Sequence, residues 1–504
     1  MRTKNVVVNT IFSIALEVLL LVIGMILPRL IILTYGSEIN GLTSTINQIL
    51  SVVNLLQAGA VGASIYALYK PVAEKNYDLI SDVLYSSKKY FNRLGFIFIT
   101  IIIVLAPMLA FVKATESISK VEIIISVLIL GIGSAYSFFF VSWYDILFSA
   151  HQRRYILSTA SIIEKLVYFV LLFVVVKLNL YFIYMYLIVL VGNTVKVTIL
   201  YCLYKKEYAT KLKPKQQCQN YKIKNRGYLL CNQIAIQAIE SVPIILIYLI
   251  YGLKYVSVYS IYNLVQNGLK MAINTIQYSI SASFGNVVTM ESNEKISEVF
   301  NILQYLFVVF GVFLSICSAL LFMPFITIYT NGITDQNYIF PLLPILIIVH
   351  IIIFSIYIPY ALLSNVYGLF RETYFGFVIL ALISIGISAI LTFYSMPMVL
   401  SCMICYYSAS TLYLLWVLRK NIVWFSLNKL RRRSCLLLLL PSLSYLIGQT
   451  EIINITTWYT WVIAGCLCSF VSLVAVLLWS FLFEREELYI SLSYAKGLFS
   501  KLVI

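Results

Sequence analysis

Lys270 lies in the middle of an apolar run at 256–288, one turn from Gln266 and Asn274. Asn263, Asn267, Asn274 and Gln277 join it at spacings of three and four, which put the set on one face of a helix. A second run, 40–69, carries Asn40, Thr43, Asn47, Ser51, Asn54 and Gln57 at the same spacings. An ammonium set among amides can hold a phosphate-bearing ligand. It can equally pair with a carboxylate on a neighbouring helix. The amides can line a wet cavity or bond helix to helix.

Other charged groups fall inside apolar runs. Arg29 sits near the outer end of the run at 8–33, where a guanidinium can fork onto phosphate or snorkel to the interface. Lys196, nearer the inner end of 180–203, fits snorkelling better. Glu17, Asp145 and Glu240 are acids within or beside spans, suited either to carrying a proton or to a fixed ion pair. Glu164 and Lys165 lie too close to the basic 151–165 stretch to count as a site by this reading. Cys402 and Cys405 have redox spacing, but the CMIC segment is apolar and has no second pair. With His151 and His350 as the two histidines, neither a metal site nor a cofactor is expected. No G-x-x-x-x-G-K-[ST] phosphate loop occurs, which excludes ATP hydrolysis by that route.

The elements that must position these groups are membrane helices. Hydrophobic residues make up 61% of the 504 and charged ones 11%, far too few to cover a soluble protein. Continuous apolar runs, each long enough to cross a bilayer, exclude a β-barrel. Fourteen spans are expected: 8–33, 40–69, 92–112, 122–149, 155–176, 180–203, 228–250, 256–288, 297–323, 339–366, 374–394, 397–418, 434–449 and 458–483. With the N-terminus inside, 29 of the 36 Lys and Arg residues fall on the inner side and 4 on the outer. This split predicts cytoplasmic termini and an even number of spans. The net charge of +16 therefore reflects orientation and contact with anionic lipids, notably along the loop 205–226, rather than nucleic-acid binding. No cleavable signal is expected, and the nine cysteines suggest no disulfide framework.

The chain also repeats itself. TYGSEINGLTSTIN (34–47) and IYGLKYVSVYSIYN (250–263) share Tyr-Gly and a later Asn, and each follows a span interrupted by proline, Pro28 or Pro243. The offset of 216 residues covers six spans, so the copies share an orientation and form parallel repeats. It aligns Asn47 with Asn263, Ser51 with Asn267 and Asn54 with Lys270. Spans 1 and 7 add Asn9, Ser13 and Glu17, and Asn232, Gln233, Gln237 and Glu240. The expected organisation is an N-lobe at 1–204, a basic cytoplasmic loop at 205–227 and a C-lobe at 228–419. A basic loop with spans 13 and 14 follows at 420–483, then a cytoplasmic tail at 484–504.

The stretch RLIILTYGSEINGLTSTINQILSVVNLLQAGAVGASIYALYKPVAEK (29–75) resembles the N-terminal region of Wzx-type polysaccharide flippases. These belong to the multidrug/oligosaccharidyl-lipid/polysaccharide exporter superfamily. Tyr-Gly, Asn-Gly-Leu, Gly-x-x-Gly and Leu-Tyr-Lys-Pro stand in that family's order, and FSAHQRRYILS (148–158) is similar to the loop after its fourth span. The resemblance implies an all-α fold of two six-helix lobes around a cavity lined by spans 1, 2, 7 and 8, with a terminal helix pair added. It implies a substrate too: a sugar repeat unit on a polyprenyl diphosphate, moved to the outer leaflet of a bacterial cytoplasmic membrane by alternating access. Membrane lipids and other polysaccharide-assembly membrane proteins would be its partners.

Other classes fit less well. A membrane glycan polymerase needs catalytic groups on a sizeable outer loop, and the longest outer gap, 324–338, offers Asp335 alone among acids. A multidrug antiporter shares the twin lobes but usually lacks the Tyr-Gly and Asn-Gly-Leu entry. A peptidoglycan-precursor flippase is the reading hardest to separate from a polysaccharide flippase.

Overall fold

The computed structural model describes residues 2–112, 117–212, 228–422 and 455–490. Among these residues the regular structure is helical throughout, with no strand. Lipid offers the backbone no hydrogen-bond partner, so a chain this apolar must satisfy its amides within helices. Eleven described helices are long and apolar enough to cross a membrane. The two striped segments are helical too but fall outside that set. Span 13 (434–449) and most of the basic loops lie outside the described residues. The chain divides into two compact units, Met1–Ser260 and Ile261–Ile504.

In the first unit, α1 (Arg2–Tyr35) holds Pro28 and ends at Gly36, whose φ of 87° favours glycine. Next come α2 (Ser37–Asn54), a 3₁₀ turn (Leu55–Gln57) and α3 (Ala58–Ala73), so the second expected span is broken rather than continuous. α4 (Tyr77–Val112) precedes α5 (Lys120–Tyr136), which is capped by a reciprocal Ser119–Glu122 box. A π-helical turn (Ser137–Val141) leads into α6 (Ser142–Ala150). α7 (Tyr155–Lys177) and α8 (Ile183–Glu207) pair as a hairpin. α9 (Tyr228–Ile250), with Pro243, is followed by Gly252 at φ 92°, a positive φ like that of Gly36 at the equivalent position of the first copy.

The two irregular turns are joined. Gln57 Oε1, on the 3₁₀ turn, accepts hydrogen bonds from Ser137 and Ser142, both at 3.1 Å, across the π turn. The Ser142 hydroxyl also lies 2.6 Å from the Ser137 carbonyl, which accepts the Ser142 backbone N–H in the π turn as well. α2 also meets the start of α10 (Leu253–Met290) closely: a Cβ on Gly41 would lie 2.0 Å from the Leu253 carbonyl oxygen. Beside this contact Asn40 donates to Ser257 at 2.8 Å and Ser260 at 3.1 Å.

The second unit contains the rest of α10, then α11 (Asn293–Tyr329), α12 (Leu342–Val366) and α13 (Phe370–Tyr394). A 3₁₀ turn (Met396–Leu400), α14 (Ser401–Asn421) and α15 (Trp458–Phe483) complete it. Val308, Val312 and Ile316 of α11 pack with Ile348 and Ile352 of α12 and with Val476 of α15. Trp461 donates its indole N–H to the Leu321 carbonyl at 3.1 Å, so the last span is docked on this unit.

Candidate functional site

A cavity of about 490 Å³ opens inside the first unit. α1 supplies Leu20, Gly24 and Pro28, and α2 supplies Thr43, Asn47 and Asn54. The joined turns contribute Gln57 and Ser137. Irregular backbone is tolerated at membrane depth where it lines a cavity, and both breaks do so here. Thr43 hydrogen-bonds Tyr186 at 2.9 Å on the wall. Asn54 Oδ1 is buried and accepts no hydrogen bond from the described residues.

The charged groups on this wall are Glu164, Lys165 and Lys196. Glu164 Oε1 takes a bond from Lys165 at 2.8 Å, and Oε2 lies 3.1 Å from the Lys196 ammonium on α8. The glutamate is 5% exposed, so the carboxylate of the pair is buried while its lysine partners are partly exposed. Such pairs form only where geometry is good, since desolvating both charges offsets much of their attraction. The structure corrects two expectations here. Glu164, set aside as too near the basic stretch, sits nine residues inside α7, about 14 Å from its start, and forms part of the cavity wall. Lys196 does not reach away to the interface but is turned onto Glu164.

The predicted residues divide among several places. Asn47 and Asn54 face this cavity, whereas Arg29, Glu17, Asp145 and Glu240 do not line it. Glu17 is exposed on α1, and Arg29 is partly buried. Asp145 accepts a 2.8 Å bond from Ser149 beside an aromatic cluster in which Lys88 stacks 4.8 Å from Trp143. Glu240 lies in the seam between α2 and α9, where its carbonyl and Ser241 accept from Gln48 at 3.3 and 2.7 Å. Gln237 donates to Ser51 at 3.0 Å in the same seam. Asn9 ties the start of α1 to the 151–155 turn, donating to the Gln152 carbonyl and accepting from the Tyr155 amide. The side chain of Asn232 is outside the described residues.

In the second unit, Lys270 is only 9% exposed, and its ammonium lies 5.5 Å from the centre of the Phe354 ring. One turn away, buried Gln266 donates to His350 Nδ1 at 3.0 Å and to the Met403 sulfur at 2.9 Å. Tyr407 stacks 5.4 Å from the His350 ring. Asn267 is exposed, and Asn263, Asn274 and Gln277 are half-buried, so Lys270 lies at the inner margin of the stripe. Glu164 and His350 are the groups sequence reasoning passed over. Both face partners on other helices, and the only local signal was a polar residue well inside an apolar run. Among the described residues no group of His, Cys, Asp or Glu has the geometry to hold a metal.

No family model matches the chain, and no curated protein matches it either. Its backbone resembles those of solved transporters. It is similar to the lipid II flippase MurJ in an inward closed conformation, with a TM-score of 0.63 and 14% identity over 95% of this chain and 99% of that one. It is also similar to an inward-facing multidrug resistance MATE family transporter of the MOP superfamily, with a TM-score of 0.62 and 14% identity over 81% of this chain and 95% of that one. A eukaryotic MATE transporter, AtDTX14, matches with a TM-score of 0.54 and 13% identity over 89% of this chain and 99% of that one. The chain is therefore a multi-pass membrane protein with the MATE/MurJ-like transporter fold.

Proposed function

We propose that this protein is a flippase for polyprenyl-diphosphate-linked sugar repeat units, working by alternating access in a bacterial cytoplasmic membrane with both termini inside. The reading rests chiefly on a likeness to the lipid II flippase fold that extends over 95% of the chain. The family-like stretch at 29–75 and the intramembrane cations Lys270, Lys196 and Arg29 add to it. Cations within spans suit an anionic substrate, because a charge held at that depth is costly unless paired or solvated.

The candidate cations for the diphosphate are Lys270 and Arg29, and the candidate amides for sugar hydroxyls are Asn47, Asn54, Asn263, Asn267, Asn274 and Gln277. Energy comes from an ion gradient, the membrane potential or removal of the product. Glu17, Glu240 and Asp145 are the candidate coupling groups, since a proton can bias a conformational equilibrium only where the two states differ in affinity for it. The protein makes and breaks no bond in the substrate, and needs no cofactor.

Depletion in the source cell tests the proposal. The expected result is lost surface polysaccharide, together with lipid-linked repeat units whose glycan remains on the cytoplasmic leaflet. Unchanged surface glycan with an altered drug-efflux profile would favour a multidrug antiporter instead.

A further inference from the structure

The cavity of the first unit has an unbalanced charge. Its wall carries two ammoniums, Lys165 and Lys196, and one carboxylate, Glu164. The carboxylate bonds both, at 2.8 and 3.1 Å, so the cluster holds together but keeps a net charge of +1 in the membrane interior. Two lysines this close would repel strongly in a low dielectric without an anion between them. Glu164 supplies that anion from within the protein. The Lys165 and Lys196 side chains are 36% and 20% exposed, against 7% for Glu164, so the lysines rather than the carboxylate are the accessible members of the cluster.

The rest of the wall is suited to a polyol. Asn47, Asn54, Thr43 and Tyr168 offer amides and hydroxyls, and the buried Asn54 Oδ1 takes no bond from the described residues. At about 490 Å³ the space is in the range of small-molecule sites, ample for one or two sugar rings.

We propose that this cavity is a subsite for a sugar bearing an oxyanion, in which Lys165 and Lys196 bind the anion in competition with Glu164, which occupies them in its absence. The oxyanion is the carboxylate of an acidic sugar or a sugar-linked phosphate. The inference rests on the flippase reading and extends it to a second contact point, separate from Lys270. It makes the repeat unit's own charge part of recognition. Affinity should follow the cluster's charge: removing the carboxylate raises it, and removing an ammonium lowers it.

Calorimetric titration of the purified full chain in detergent tests this, with glucuronate, inorganic pyrophosphate and neutral glucose as probes. Glu164→Gln should bind the preferred oxyanion roughly tenfold more tightly than the parent, and Lys196→Gln should lose binding to a similar degree. Glucose affinity should not respond to either change. A response with glucuronate identifies an acidic sugar, and one with pyrophosphate a phosphate. If Glu164→Gln fails to fold, Lys165→Gln, at the most exposed of the three positions, should weaken oxyanion binding. Oxyanion affinity that ignores these charge changes, or no oxyanion binding at all, would overturn the proposal. Transport of a lipid-linked glycan by the parent separates the two claims. Transport without charge-dependent binding refutes the subsite alone, and charge-dependent binding without transport refutes the flippase reading.

Discussion

Adding one methyl group at Gly41 should destabilise the first unit. The new Cβ would lie 2.0 Å from the Leu253 carbonyl oxygen and 2.7 Å from its carbon. Ordinary contact begins at 3.4 Å, so α2 and the start of α10 must part by about 1.4 Å. The opposing atoms are backbone, and no rotamer change relieves them. Separation on that scale would also stretch the bonds from Asn40 to Ser257 and Ser260, now 2.8 and 3.1 Å. Overpacking costs about 1–3 kcal/mol, and weakening one buried and one part-buried hydrogen bond adds about 0.5–1 kcal/mol each. Gly41→Ala should therefore lower stability by ~2–5 kcal/mol, read as a fall of roughly 5 °C or more in the unfolding temperature of detergent-purified protein. Gly62→Ala is the control, because a Cβ there meets nothing within 4 Å. A Gly41→Ala protein that melts with the parent would show that α2 and α10 do not make this approach, and the reasoning would be wrong.

Further outcomes follow from the candidate residues. Lys270→Ala should slow transport of a diphosphate-linked glycan by ~10- to 100-fold, the effect of losing one charge-assisted contact, while Lys270→Arg keeps part of the rate; normal export by a well-expressed alanine variant would remove Lys270 from the site. Glu17→Gln or Glu240→Gln should alter the pH profile of transport in proteoliposomes, and unchanged profiles in both would end the case for proton coupling through them. His151, beyond the end of α6, is pushed below the ordinary imidazole pKa chiefly by burial. The Leu147 carbonyl and Glu207 pull it upward, while Arg153 and Lys211 add to the depression. The unfolded chain then takes up the proton first, so this group's contribution is intact above pH ~6.5 and is lost as pH falls below it. A thermal-stability profile of His151→Asn should slope less steeply than the parent's below that pH; an identical slope would contradict the assignment.

How much of this was legible in the sequence varies by residue. The helical class was, because lipid leaves a chain of this composition no alternative. Of the repeat, the paired turns were legible: Gly36 and Gly252 share a positive φ that only glycine adopts freely. The stripe on 40–57 was legible as polar but not as to its use. Asn40 spends its amide on Ser257 and Ser260, while Asn47 and Asn54 face the cavity. Periodicity finds a face and cannot tell which neighbour meets it. The break at Leu55–Gln57 was not legible, because Gln57 is held by Ser137 and Ser142, some eighty residues away. Glu164 was missed for a related reason: Lys165 beside it looks like part of a basic loop, and Lys196, which secures it, lies on the next helix.

Reconstitution of the purified protein into liposomes tests the central claim most directly. A polyprenyl-diphosphate-linked oligosaccharide is placed in both leaflets, and its accessibility to a membrane-impermeant, glycan-modifying reagent is followed over time. The account predicts that modification passes the half accessible in protein-free vesicles and approaches completion, and that Lys270→Ala slows this phase. Modification that halts at the outer leaflet's share under an imposed ion gradient or membrane potential, with folded protein present, would contradict it.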